Sequence, residues 1–275
     1  MSPEEIKKII KEKVDGVWCA EHDETGHKYR HVPTGKIQKS VTTKIGGVIS
    51  KPHLTKWSIR MAAEWLLKED RLNRFATERF REDMINGMCL APTDIRDESG
   101  NLGTVAHSVA ERYTNEFLSS GIWPANIMSL APSNCDPRAI AAIRSVEAFF
   151  KKHDVIPLAS EILVGDERYS AGTLDLIALF NGELTLVDYK SSNGIDQIGY
   201  STQVAAYKYF FEGMTGLKIK HCKILHISKD YDKFTVYKVK GLPGALKAFK
   251  QICSIYDWVY NTGDKISKDI KRITI

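Results

Sequence analysis

Asn181-Gly182, set between the apolar runs LDLIALF and ELTLV, is the pair of residues that constrains this chain most. An Asn-Gly pair between two β-prone runs favours a two-residue type I′ hairpin turn, since both turn positions need a positive φ that these residues tolerate. With those two as the loop, Phe180 faces Glu183 and Leu179 faces Leu184. Counting on down the ladder sets Asp175 opposite Asp188. Directly opposed residues have Cβ atoms about 4.5–5.5 Å apart, which is unfavourable for two like charges. A divalent cation held by oxygen ligands would offset that repulsion. Lys190, two residues after Asp188, points to the same face of its strand. The hairpin therefore predicts two acids and a lysine on one metal-sized patch. The plain alternative is a pair of solvated acids at a sheet end, one of them salt-bridged to Lys190.

The chain has 275 residues and 43% hydrophobic content, which excludes a disordered or fibrous class and fits one large domain or a core with a substantial appendage. Its five cysteines are scattered and odd in number, with no CxxC, arguing against a disulfide framework and for a reducing compartment. The leading MSPEEIKKIIKEKVDG is too charged for a signal peptide and too acidic for a transit peptide, and no apolar run approaches the ~18 residues of a membrane span. The expectation is a soluble, cytoplasmic protein with no membrane partner. A net charge of +5 is compatible with a polyanionic partner without establishing one.

Along the chain, residues 3–14 read as a short charged surface helix with Ser2 as N-cap and Pro3 at the first position. The next stretch, to Thr43, reads as a small polar hairpin. Its Cys19, His22, His27 and His31 match no common zinc spacing, so polar hairpin residues are expected there. From Pro52 the apolar spacing predicts one long helix or two joined near Asp70, with Lys51, Lys56, Arg60, Arg71, Arg74, Arg79 and Arg81 open between a track for a phosphate backbone and the commoner solvated face. APTDIRDESGN reads as a loop before a second helix from Leu102 to Leu118. On that helix His107 lies on or beside the apolar stripe, open between a packed histidine and a ligand. A third helix starts at Asp136-Pro137. Glu161, on the strand after Pro157, is open between a further carboxylate of the cluster and an exposed strand-edge residue. DQIGYSTQVAAYKYFFEGM then reads as a helix ended near Gly213 or Gly216, with Gln203 and Tyr207 on one face. Two strands joined by KDYD and a last amphipathic helix follow. The order implies an α/β core behind a mostly helical N-terminal region.

GTLD, VDYKSS thirteen residues later and QVAAY on the next helix, taken together, resemble the PD-(D/E)xK nuclease superfamily, in its RecB-like branch. GTVAHSVAERY matches that branch's histidine-bearing helix, and SVTTKIGGVISKPHLTKWSIRMAAEWL is similar to the leading part of phage and mitochondrial genome-maintenance exonucleases. The resemblance implies a restriction-endonuclease-like central mixed β-sheet flanked by helices. It also implies His107, Asp175, Asp188 and the main-chain carbonyl of Tyr189 as ligands of Mg²⁺ or Mn²⁺, with Lys190 as the catalytic lysine. The candidate catalytic set is thus Asp175, Asp188, Lys190, His107 and Glu161. Gln203 and Tyr207 would line the site, Ser191 and Ser192 offer hydroxyls where a substrate phosphate would lie, and Gly172-Thr173 before the first acid allows close backbone approach, which makes Thr173 a further substrate-binding candidate. The four cysteines with which many relatives hold an iron-sulfur cluster have no counterpart after the core, so no such cluster is expected.

These expectations divide the chain into an N-terminal hairpin and helical region over the site (1–100), a nuclease core (101–262) and a basic tail (263–275). They point to a metal-dependent DNA nuclease, an exonuclease on single-stranded or end-containing DNA in a bacterial or phage-infected cell. The alternatives are a structure-selective endonuclease of the same fold and a DNA-binding module with a vestigial site.

Overall fold

The computed structural model describes residues 1–23, 26–68, 70–192, 194–229 and 233–266. In chain order the elements are α1 Pro3–Val14, β1 Trp18–Asp23, β2 Gly26–His31, β3 Ile37–Lys39, α2 Val41–Val48, α3 Pro52–Leu66, α4 Arg71–Ala76 and α5 Glu78–Ser120. A 3₁₀ turn Ile127–Leu130 precedes α6 Pro137–Lys152, β4 Val155–Asp166, β5 Ser170–Phe180, β6 Glu183–Lys190, α7 Gln197–Thr215, β7 His221–Ile227, β8 Phe234–Lys238 and α8 Leu242–Ile266. They fall into two compact units, Met1–Ile49 with Ala106–Ile275, and Ser50–Val105.

The first unit is α/β: a five-stranded mixed sheet in the order β4-β5-β6-β7-β8, flanked by helices, with a three-stranded antiparallel sheet β1-β2-β3 beside it. Among the described strands of the five-stranded sheet, β6 and β7 are the parallel pair. Parallel neighbours need a long crossover, and α7 supplies it. Its Val204, Ala205, Ala206, Phe210 and Phe211 are buried, and Gly216, at φ +74°, ends it in the left-handed conformation that glycine adopts without strain.

The β5–β6 hairpin has the expected register, from Phe180↔Glu183 to Leu176↔Val187, so that Asp175 and Asp188 are the next positions along. Asn181 and Gly182 have φ of +50° and +76°, as a type I′ turn requires. Pro157 is accommodated on the edge strand β4 beside an irregularity between Pro157 and Ala159, where a missing N–H costs the ladder least.

Two expectations need correction. The charged helix α1 is not confined to the surface: Ile6, Ile10 and Val14, four apart, put one stripe into the core with Val41, Ile45, Leu174, Phe210 and Phe249. Ser2 and Glu5 cap it reciprocally, which fixes its start. Residues 91–101 are not a loop but part of α5, which runs through Pro92. Proline removes one backbone donor, whereas propagating a helix already formed on both sides gains a bond per residue, so exposed Asp, Arg and Glu side chains do not break it.

The three-stranded sheet is tied to the β4–β5 hairpin. Ser170 Oγ donates to the Lys39 carbonyl at 2.7 Å, Ser40 and Ala171 form a parallel bridge, and the Gln38 amide donates to the Glu167 carbonyl. Trp18 lies so close to Gly165 that a Cβ there would fall 2.7 Å from its ring.

In the second unit the chain breaks between α3 and α4, next to Asp70, the second of the two arrangements the spacing left open. Trp65 is its organising side chain. The Arg71 guanidinium stacks over its ring at 4.3 Å, and Gly87 leaves room for the ring, which a Cβ would meet at 2.2 Å. Arg60 is engaged by Glu64 at 2.7 Å on an exposed face. Among the described residues, no helix is long and apolar enough to cross a membrane. Residues 230–232 of the expected turn and 267–275 of the expected basic tail lie outside the described residues.

Candidate metal centre

Three chain segments converge on the hairpin acids. Ser160 pairs with Leu176 and Ile162 with Leu174, so Glu161 is opposite Asp175 by count. Glu161 has φ +50°, a left-handed conformation uncommon for a residue with a side chain and typical of functional positions. One ligand atom from each of His107 on α5, Glu161 on β4 and Asp175 on β5 lies within 4.8 Å of the others. Of the two readings open for Glu161, the structure has the one in the cluster, and His107 is beside it.

Asp188 and Lys190 adjoin this trio. Lys190 Nζ lies 2.6 Å from Asp188 Oδ2, while Gln203 Nε2 donates to Asp188 Oδ1 at 3.2 Å. The Asp175 carboxylate accepts the backbone N–H of Tyr189 at 2.5 Å, and the Tyr189 ring meets His107 edge-on, centroids 5.7 Å apart. The Asp188–Lys190 pair is also what the solvated alternative expects, but Asp188 is only 1% exposed. A buried acid with one cation and two acid neighbours is not a solvated surface pair.

The electrostatics show an excess of negative charge. Burial, then Asp175, Glu111 and Asp188, push the Glu161 carboxyl up to about 9. Burial raises Asp175, and burial with the charge of Asp175 takes Asp188 to about 6 although Lys190 pulls the other way. Burial alone would lower Lys190; Asp188 and Asp175 outweigh it and hold the ammonium above its ordinary value. Burial and nearby Lys190 bring His107 down to about 4, so its imidazole is neutral at neutral pH with a lone pair available. Carboxylates held back from ionising around a neutral imidazole are a donor set that fits a hard divalent cation.

The remaining candidates surround this centre unevenly. Gln203 also donates to Tyr207 Oη at 3.4 Å. Gly172 is where the Tyr207 ring approaches the strand, since a Cβ there would lie 2.7 Å from the ring. The Thr173 hydroxyl is bonded to Tyr29 Oη at 3.1 Å. Ser192 turns into its own loop: its hydroxyl donates to the Gly194 carbonyl at 2.6 Å and meets Tyr200 Oη at 2.8 Å, while His226 holds its carbonyl at 2.6 Å. Ser191 is half-buried. Two residues beyond the sequence-derived set belong to these surroundings. Tyr200, over whose ring Lys190 Nζ sits at 5.2 Å, shares helical spacing with Gln203 and Tyr207, a signal the sequence carries. Tyr29 has no such signal.

Of the hairpin residues considered for zinc, Cys19 is exposed and His31 is engaged by Thr34 at 2.8 Å and Glu167 at 3.0 Å. The side chain of His22 lies outside the described residues.

No family model matches the chain, and no curated protein matches it. Among solved structures it is similar to one described as "Crystal structure of SSO0001", at 15% identity and a TM-score of 0.27, covering 55% of this chain and 74% of that one. A likeness of that size supports no conclusion about function.

Proposed function

We propose that the chain is a divalent-metal-dependent nuclease that hydrolyses phosphodiester bonds of DNA, acting as an exonuclease on single-stranded or end-containing substrates, as its resemblance to the RecB-like PD-(D/E)xK nucleases implies. The observation that carries this reading is the convergence of His107, Glu161 and Asp175 within 4.8 Å, beside a buried Asp188–Lys190 pair. His107, Glu161 and Asp175 would hold Mg²⁺ or Mn²⁺, with Asp188 and the Tyr189 carbonyl as the further ligands that the resemblance implies. When bound, the ion supplies a charge sink and an activated water for the hydrolysis. Lys190, kept protonated by two carboxylates, offers positive charge to the substrate phosphate. Gln203 orients Asp188 and ties it to Tyr207.

Incubation with Mn²⁺ and end-labelled linear or closed circular single-stranded DNA tests the reading. Stepwise shortening of the linear strand with the circle intact is the expected result. Cleavage of the circle would make the enzyme an endonuclease. Asp188→Ala and Lys190→Ala are expected to abolish cleavage while DNA binding survives; undiminished cleavage by either variant refutes the mechanism.

A further inference from the structure

Tyr29 lies on the middle strand of the small sheet, opposite Ala20 on one side and Gln38 on the other. It is 6% exposed, and its hydroxyl crosses to the five-stranded sheet to meet Thr173 Oγ1 at 3.1 Å. Thr173 is two residues before Asp175 on β5, hence on the same face, with Asp175 one strand repeat (about 7 Å) further along. Burial raises the Tyr29 hydroxyl, its side-chain and backbone bonds to Thr173 pull the other way, and Glu161 and Asp175 are close enough to add smaller upward effects.

The Tyr29 hydroxyl is not needed to dock the small sheet. That attachment already has the Ser170–Lys39 bond, the Ser40–Ala171 bridge, the Gln38–Glu167 bond, the Thr34–Glu167 bond at 2.7 Å and the packing of Trp18 on Gly165. Two hydroxyls carry two protons, and the bond between them occupies one. The second is left for a group outside the pair, whereas a phenylalanine at 29 would fill the same space without a polar atom to satisfy.

We propose that Tyr29 is a positioning residue of the site: its hydroxyl fixes that of Thr173 so that the pair donates its second proton to a non-bridging phosphate oxygen of the DNA strand. This deepens the nuclease reading and rests on it. Tyr29 approaches from a separate sheet, so the small N-terminal sheet becomes part of the substrate site and not only a brace for the β4–β5 hairpin.

The test compares wild type, Tyr29→Phe, Thr173→Val and the double variant in Mn²⁺, on single-stranded DNA with an ordinary terminal diester or either diastereomer of a phosphorothioate there. Loss of one hydrogen bond to a charged oxygen is expected to lower kcat/KM about tenfold in Tyr29→Phe. Mn²⁺ affinity by calorimetry and the melting temperature should be unchanged. The double variant should lose no more than the worse single one, because the two hydroxyls act as a unit. In one phosphorothioate diastereomer the effect of Tyr29→Phe should shrink to about twofold, since sulfur accepts the bond poorly. Equal activity of Tyr29→Phe and wild type overturns the proposal. So does an equal loss on all three substrates, or a loss accompanied by weaker Mn²⁺ binding or a lower melting temperature, which would mark a structural role. If wild type binds Mn²⁺ but cleaves no substrate, the nuclease reading itself fails and this proposal with it; cleavage by wild type with no effect of Tyr29→Phe removes only the proposal.

Discussion

The Asp175 carboxylate accepts the backbone N–H of Tyr189 at 2.5 Å, so the first acid of the hairpin is fixed by the strand that carries the second. Asn at 175 can accept the same bond and removes one negative charge from a cluster that holds too many. Asp175→Asn is therefore expected to raise the melting temperature of the metal-free protein, by about 2–4 °C if the relief is near 1 kcal/mol. The same change should abolish the upward shift that saturating Mn²⁺ gives the wild type, a shift worth about 2.7 kcal/mol at a hundredfold excess over Kd. Calorimetric melting with and without Mn²⁺ reads both effects; a variant still stabilised by the ion would remove Asp175 from the ligand set.

The raised carboxyl of Glu161 makes a statement about pH. Folded Glu161, at about 9, holds its proton across a range where the unfolded side chain, near 4.3, has lost it. The folded state then binds more protons than the unfolded one, so stability falls as pH rises from about 4.3 through about 9. Asp188, at about 6, adds to the fall at the acid end, while His107, lowered to about 4, opposes it below about 6.5. Between pH 7 and 9 only the carboxyl contribution is left among these three. In EDTA the urea midpoint should decline over that interval, and Glu161→Gln should flatten the decline. A metal-free midpoint that rises from pH 7 to 9 would contradict the charge excess.

How far the sequence reached depended on the range of each signal. The Asp175 and Asp188 register followed from a two-residue turn and a period of two, both local, and Gln203 with Tyr207 from helical spacing. Glu161 stayed undecided because its position in the cluster accompanies a left-handed backbone that no neighbouring residue type announces. Tyr29 was out of reach for a different reason: its partner is 144 positions away in another sheet. The burial of Ile6, Ile10 and Val14 was present as a spacing of four but was outweighed by the charges between them. In α5, a proline and a polar composition pointed to a loop that helix cooperativity overrode.

Gly172 gives a steric test of the wall behind the acids. A Cβ there would lie 2.7 Å from Tyr207 Cε1 and 2.9 Å from its hydroxyl. Gly172→Ala must displace the ring, at a cost of about 1–3 kcal/mol. Tyr207 is bonded to Gln203, and Gln203 to Asp188, so cleavage should fall along with stability. Pairing Gly172→Ala with Tyr207→Leu, which removes the obstructing ring, should recover part of the stability and none of the activity. A Gly172→Ala protein as stable as wild type by urea titration would mean that the ring yields freely.

Lys44 supplies a test away from the site. Its side chain is 3% exposed and its ammonium meets Asp257, 41% exposed, at 2.7 Å, tying α2 to α8. Removing one member of such a pair is not equivalent to removing the other. Asp257→Ala leaves a buried cation without its counter-ion. A fully buried pair would lose about 3–5 kcal/mol in that way, and the half-exposed carboxylate here, already partly screened by water, brings the expected loss to about 1–3 kcal/mol. Lys44→Met keeps the volume and leaves Asp257 facing solvent, so it should be nearly neutral or stabilising. The double variant should then match Lys44→Met, not the sum of the two single changes, because the cost of Asp257→Ala exists only while the charge of Lys44 is present. Urea titration of the four proteins measures this directly, and additive losses would show that Lys44 is held by something other than Asp257.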